Sequence, residues 1–393
     1  MSAAHVKAAA LGQTTLAGFL SVLARRARLN DPVKPAIGVF LAVLALMGLG
    51  LLVQASAAAT TNTPEVFSRE LVSQVLFRLA GVFVLLAGWR LGPQGLRPWL
   101  AHFALVSALF LLLVYTPFGV VRNGAHRWLD LGFVAFQPSE LARIALVLWI
   151  ADRCVRLGPL VIHLRRGVLP MFFFTLAFFC LVLFETDLGG AMLLLICALS
   201  IMWVGGARLL PIAASFAAVV GGVIVAITPF VPYMRERIAM WFGHVPNAQL
   251  SDTVGAFASG GLLGAGLTQG GARNAGVLYL ESDYAFSLIG EELGLFGMLL
   301  VLGLYCAFLW YALRLVLSLT ERYAALAAFG LLVSVGLQAM LHVQVVAGLA
   351  PPKGMTLPFV SDGGTSLIVS SLAVGLAIGA ARRANPDIAP CSP

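Results

Sequence analysis

The feature that most constrains this chain is a series of uncharged apolar runs, each close to the roughly 20 residues that a helix needs to cross a bilayer. Hydrocarbon offers no partner to backbone N–H and C=O groups, so runs of this kind fold as helices that satisfy themselves. Apolar stretches read against polar breaks give ten candidate spans, at 36–56, 71–89, 99–117, 138–154, 168–184, 188–204, 210–229, 284–312, 323–347 and 366–381. Of the 393 residues 60% are hydrophobic and 11% charged, against about a quarter charged in a water-soluble domain. The reading is an all-α polytopic membrane protein of about ten transmembrane helices. A basic N-terminal segment (1–35), one membrane domain (36–382) and a short tail (383–393) divide the chain. The apolar stretch Leu16–Ala24 is followed, not preceded, by Arg25, Arg26 and Arg28, the wrong polarity for a cleaved leader.

Positive charge then orients the spans. Lys34, Arg90, Arg97, Arg153, Arg156, Arg165, Arg166, Arg208, Arg314, Arg322 and Arg382 share one side, whereas Arg69, Arg122, Arg127, Arg235, Arg237, Arg273 and Lys353 share the other. The richer side is the cytoplasm, which places both termini there. The same loops account for the formal charge of +8, and no nucleic-acid partner is expected. Acids sort the other way: Glu140, Glu185, Asp187, Asp283 and Asp362 lie in or beside outer connections. The long connections, at 117–137, 230–283 (between spans seven and eight) and 348–365, are also outer, and long ordered loops are usually functional. Chemistry is therefore expected on the outer face. The five cysteines form no C-x-x-C pair and support neither a disulfide framework nor a zinc site.

Within these connections several side chains have both a structural and a chemical reading. Pro138 and Glu140 suit the first turn of a helix, and Glu140 is equally a buried acid beside a polar loop. Arg127, next to Trp128, is an interfacial anchor or a phosphate binder. Asp187, one residue from Glu185, either caps the sixth span or serves as an intramembrane functional acid. Asp283 stands at the last polar position before the eighth span, where it could cap the helix or act as a general base lifted by partial burial. Gly290, Gly294 and Gly297 share one helix face and allow close approach, with Glu291 and Glu292 entering the membrane beside them. Lys353, between Pro352 and Gly354, either snorkels or binds phosphate.

The motifs at Asn123–Gly132 with Phe136–Leu141, Tyr233–Arg237, Ser259–Leu267, Asp283–Gly294 and Leu357–Leu367 resemble, in order, those of the SEDS family (FtsW, RodA, SpoVE), bacterial membrane glycosyltransferases. Lys353-Gly354 followed by Thr356-Leu-Pro-Phe359 is more similar to the FtsW branch. The chain departs from the family pattern before Asp283, where Leu278–Tyr284 lacks the usual proline and histidine. It departs again at Asp362 and Thr365, and at Arg143, where lysine is common. The resemblance implies polymerisation of lipid II into glycan strands on the outer face of the cytoplasmic membrane during cell division. It also implies a class B penicillin-binding protein as transpeptidase partner, with other divisome membrane proteins. Asp283 aligns with the family's essential aspartate and would deprotonate the acceptor hydroxyl. Arg127, Arg235, Arg237 and Lys353 would offset the leaving pyrophosphate, with room for a divalent cation (magnesium or manganese) but no organic cofactor. Glu140, Asp187 and Ser361 complete the expected substrate-binding set. Two rivals stay open, a lipid-linked sugar flippase and a divisome scaffold with a weakened site.

Overall fold

The computed structural model describes residues 31–61, 64–122, 125–130, 132, 135–223, 225, 235, 239–240, 243, 248–271, 282–351 and 353–384. The expected segment 1–35 and tail 383–393 therefore fall largely outside the described residues. The helices are α1 (Val33–Thr61), α2 (Pro64–Leu96), α3 (Leu100–Leu113), α4 (Pro138–Leu157), α5 (Leu169–Phe184), α6 (Leu188–Val204), α7 (Leu209–Gly222), α8 (Ala248–Gly260), α9 (Ala285–Ser318), α10 (Arg322–Val346) and α11 (Gly364–Ala384). Each expected span falls on one of them, and α8 lies inside the long connection between the seventh and eighth. Among the described residues six stretches are long and apolar enough to cross a membrane, one of them running through α2 and α3, while α6 and α7 are apolar but shorter. The chain is a multi-pass membrane protein.

The centre of the bundle is dry. Val147 and Leu148 of α4, Leu194 and Leu195 of α6, Leu331 of α10 and Leu376 of α11 are all essentially inaccessible. Large apolar side chains such as Phe83, Phe173, Phe296 and Leu210 are instead exposed around the outside, the inverse of a soluble surface and the pattern that a lipid solvent demands. Polar and charged groups collect at the two ends.

At one end, the stretch expected as a plain loop forms a three-stranded antiparallel sheet, β1 (Gly119–Arg122), β2 (Ala125–Asp130) and β3 (Ala135–Phe136), in the order β1-β2-β3. Trp128 pairs with Val120, and Leu129 with Phe136. The hydroxyl of Thr365 donates to the Ala135 carbonyl at 3.1 Å, which fastens the sheet to the start of α11.

The glycines of α9 do more than allow close approach. Gly290 packs against Phe257 of α8, as the helix-face reading expects. Gly294 instead breaks α9, with φ +66°, a conformation that glycine adopts without Cβ strain. The backbone groups released there are recaptured by the turn after α8: Ala265 N–H donates to Glu291 O (2.8 Å), Gly266 N–H to Glu292 O (3.1 Å) and Leu295 N–H to Gly261 O (3.0 Å). Glu292 is held from α1, accepting the Ser56 hydroxyl at 2.9 Å.

Candidate active site

Four helix starts converge at the sheet end. Proline at the first position and Glu140 in the first turn begin α4. Asp187 caps α6, its Oδ1 accepting Gly190 N–H at 2.9 Å. Tyr284 precedes α9, and Gly364 opens α11. They surround a cavity of about 370 Å³ lined by Arg127, Gln137, Glu140, Arg143, Asp187 and Asp283, with Gln338 and the 354–356 and 362–366 backbone closing it.

Asp283 is not the cap that its position allowed. The α9 N-cap is Tyr284, whose side chain makes no capping bond. The Asp283 carboxylate is half-buried in the cavity wall and lies over Gly354, where a Cβ would stand 2.7 Å from Oδ2. Glycine at 354 is thus a condition for the 353–356 strand to pass so close to the carboxylate.

Asp187 fulfils both of its readings, since it caps α6 and also lines the cavity, where Oδ2 accepts from Gln137 Nε2 at 3.3 Å. Burial pushes its carboxyl up, but the charges of Arg127 and Lys353 and the Gly190 N–H outweigh burial and hold it below the usual range. Arg127 is 9% exposed and donates through Nη2 to the Thr186 carbonyl at 2.6 Å. Thr186 has φ +59°, a strained conformation for a β-branched residue, so the 185–187 turn is shaped around Arg127. Glu140 is buried with one oxygen, Oε2, lacking a hydrogen-bond partner among the described residues, and so is Arg143 with Nε. In that same turn burial and the Asp187 charge push Glu185 up to about 9, against the pull of Arg127.

Lys353 lies behind the lining instead of in it. Its stem crosses Gly189 at the start of α6, where any Cβ would collide with it, and its ammonium rests on Met355 Sδ. Desolvation lowers its pKa to about 8, even though Asp187 and Asp283 favour the charged form. The loop that carries it is clamped from α9 and α10. His342 Nδ1 donates to the Met355 carbonyl at 2.6 Å, Gln338 Nε2 to the Thr356 carbonyl at 3.2 Å, and Tyr305 OH to the Pro358 carbonyl at 2.5 Å.

Two further expected site residues do not line the cavity. The Ser361 hydroxyl accepts Leu357 N–H at 2.8 Å and closes its own turn, so it is buried outside the lining. Arg235 is exposed and does not line the cavity, and Arg237 lies outside the described residues. Conversely, Arg143, Gln137, Gln338, Thr356 and Ser366 belong to the lining but were not in the expected set. A glutamine within the apolar ninth span was the available signal for Gln338.

Among the described residues no group of three or more His, Cys, Asp or Glu is placed to hold a metal ion. Arg127 and Arg143 line the cavity together with its carboxylates, and Lys353 lies behind them, a donor set already supplied with positive charge that does not fit a resident divalent cation.

Fold and site together define a polytopic membrane protein with a mixed-charge cavity at one end of an apolar bundle. The chain belongs to the FtsW/RodA/SpoVE family of cell cycle proteins, whose pattern its residues 36–385 match. It is 34% identical over 360 residues to the probable peptidoglycan glycosyltransferase FtsW of Nitrosococcus halophilus, covering 85% of this chain and 89% of that protein. Among solved structures, a chain from work on how a peptidoglycan synthase complex coordinates polymerization and crosslinking superposes with a TM-score of 0.73 at 26% identity, covering 89% of this chain and 98% of that one. The rod shape determining protein RodA of Thermus thermophilus gives 0.65 at 25% identity, with 88% and 96% covered.

Proposed function

We propose that this chain is a peptidoglycan glycosyltransferase that extends glycan strands from lipid II on the outer face of the cytoplasmic membrane during division. The observation that carries the reading is Asp283, a half-buried carboxylate set in one cavity with Arg127 and Arg143 and close to Lys353. Asp283 takes the proton of the acceptor's 4-hydroxyl as that oxygen bonds to the donor's anomeric carbon. The bond from that carbon to the pyrophosphate oxygen breaks, and lipid pyrophosphate leaves with both electrons. Arg127, Arg143 and Lys353 offset its growing charge, which is electrostatic stabilisation in a partly dry site. Arg143 takes the place first given to Arg235. No step requires a metal. The outer location is supported by the opposite end of the bundle, where Arg90, Arg97, Arg156, Arg322 and Arg382 gather as cytoplasmic loops require.

The similarity to a chain of a peptidoglycan synthase complex supports a class B penicillin-binding protein as cross-linking partner, alongside other divisome membrane proteins. A flippase would need polar groups along a continuous path, whereas the dry layer at Val147, Leu194 and Leu331 separates the two polar ends. The test is the purified chain with fluorescent lipid II and its transpeptidase. Polymer that is lost in Asp283→Asn supports the enzyme, lipid transport without polymer supports the flippase, and partner binding with neither supports the scaffold.

A further inference from the structure

We propose that a second hollow, at the end of the bundle opposite the sheet, binds one anionic phospholipid of the inner leaflet. It has a volume of about 300 Å³ and lies between α1, α2 and α11. Its floor is Ala36, Ile378 and Ala381, all buried, and its walls are Ile37, Phe40, Leu86 and Trp89. Two small side chains in the floor make the space, while Ile37 (51% exposed) and Leu86 (43% exposed) open it sideways to the bilayer. The lining is apolar except at one point, Arg382.

Arg382 is fixed on the rim. Its guanidinium sits 5.5 Å from the centre of the Trp89 ring, a cation–π arrangement, and Nη1 donates to the Arg90 carbonyl at 3.2 Å. A guanidinium has five N–H donors, so this anchoring leaves others for a phosphate. Lys34 and Arg90, both exposed, follow the lining residues Val33 and Trp89 in sequence. The nearby acid, Asp31, is engaged with the N–H of Val33 at 3.0 Å. A fixed guanidinium above a sideways-open apolar slot complements one molecule well, a lipid whose phosphate meets Arg382 while an acyl chain lies between Ile37 and Leu86. Basic pockets between helices on the cytoplasmic side are where anionic headgroups bind. The proposal depends on the membrane topology and not on the catalytic reading.

The test uses the full chain in detergent, titrated with phosphatidylglycerol or phosphatidylcholine, with bound lipid counted by native mass spectrometry. One phosphatidylglycerol should be retained in preference to phosphatidylcholine. Arg382→Gln should weaken it about fivefold, the worth of one basic residue at such a surface, and Arg382→Lys should keep most of the binding. Ala36→Phe, which fills the floor without touching charge, should abolish it, and Arg165→Gln, a basic residue outside the hollow, should leave it unchanged. Equal retention of both lipids, or retention unaffected by Arg382→Gln, would reduce the hollow to ordinary annular contact and overturn the proposal. Competition by soluble glycerol phosphate would leave only an anion site, and tighter lipid binding after removal of residues 1–30 would make the chain's own N-terminal segment the occupant. Either result also overturns it.

Discussion

At the end of the bundle opposite the sheet, Asp152 accepts from Arg97 at 2.8 Å and from Arg156 at 2.5 Å, and Arg97 also stacks 4.6 Å over the ring of Tyr323. Gln94 and Arg322 extend this network to Glu321 and to the Gly205 carbonyl. At the sheet end, Asp187, Glu140 and Asp283 share a cavity wall with Arg127 and Arg143, with Lys353 just behind. The first cluster pairs its charges at contact distance and joins four helices by their ends. The second gathers carboxylates and guanidiniums around a space, leaves polar atoms of Glu140 and Arg143 without partners among the described residues, and shifts Asp187 and Lys353 away from their ordinary titration. Charges paired between helix ends fasten a fold, whereas charges gathered around a space can face a substrate and its transition state.

Exchanging carboxylates for amides at the two ends breaks this comparison most directly if it is wrong. Asp283→Asn should lower lipid II polymerisation by about 100- to 10,000-fold, the usual worth of a general base, with Tm close to wild type because asparagine keeps nearly the same shape and Tyr284, not Asp283, is the α9 N-cap. Asparagine activity within a few-fold of wild type would show that Asp283 is not the base.

Lys353 sharpens the comparison through pH. With its pKa lowered to about 8 by burial, its ammonium is charged below that pH and neutral above it. Polymerisation should therefore fall as pH rises through about 8. Lys353→Arg, charged at every accessible pH, should remove that fall while keeping part of the rate, and Lys353→Ala should be slow at all pH values. A pH–rate profile of the arginine variant that matches wild type would return Lys353 to a packing role.

The pairing end should respond in the opposite sense. Asp152→Asn weakens two charge-assisted hydrogen bonds, worth about 1–3 kcal/mol together, since Arg156 is largely solvated. The loss should appear as a lower Tm, with the rate per folded molecule preserved. A variant with normal Tm and a lost rate would mean that the two ends are coupled in catalysis.

The spans were legible because apolar length is a property of the chain alone, and the sorting of Arg and Lys against Asp and Glu is what sets the expectation of an outer site. Asp283, Asp187, Glu140 and Arg127 were found because ionisable residues at membrane depth are few. The sheet was not legible, because its strands are short and fall in a polar connection. Arg143 and Gln338 were missed because their use depends on which helix face meets the cavity, and apolar runs on every side of α10 give no face to read. Ser361 stands in the expected substrate-binding set, whereas its hydroxyl serves its own turn, a local hydrogen bond that a serine forms as readily as a ligand contact. Gly294 looked like a packing glycine because spacing cannot distinguish a small residue on a helix face from one that breaks the helix.

The smallest effect concerns Glu185, which belongs to the sheet end but carries no charge there at neutral pH. Its two oxygens are buried without hydrogen-bond partners among the described residues. Burial and the neighbouring Asp187 raise its pKa to about 9, only partly opposed by Arg127. A carboxyl whose folded pKa lies above its unfolded value near 4.5 contributes stability fully below that lower value and loses it as pH rises through about 9. Glu185→Gln has nearly the same shape and no proton to lose. The variant should therefore melt close to wild type at pH 5, and its advantage in Tm should grow up to about pH 9 and then level off. Polymerisation at pH 7 should change little, because the wild-type side chain is neutral there as well. A Tm difference that is the same at pH 5 and pH 9 would mean that Glu185 is ionised in the fold, which would make it a fourth carboxylate of the site instead of a silent neighbour.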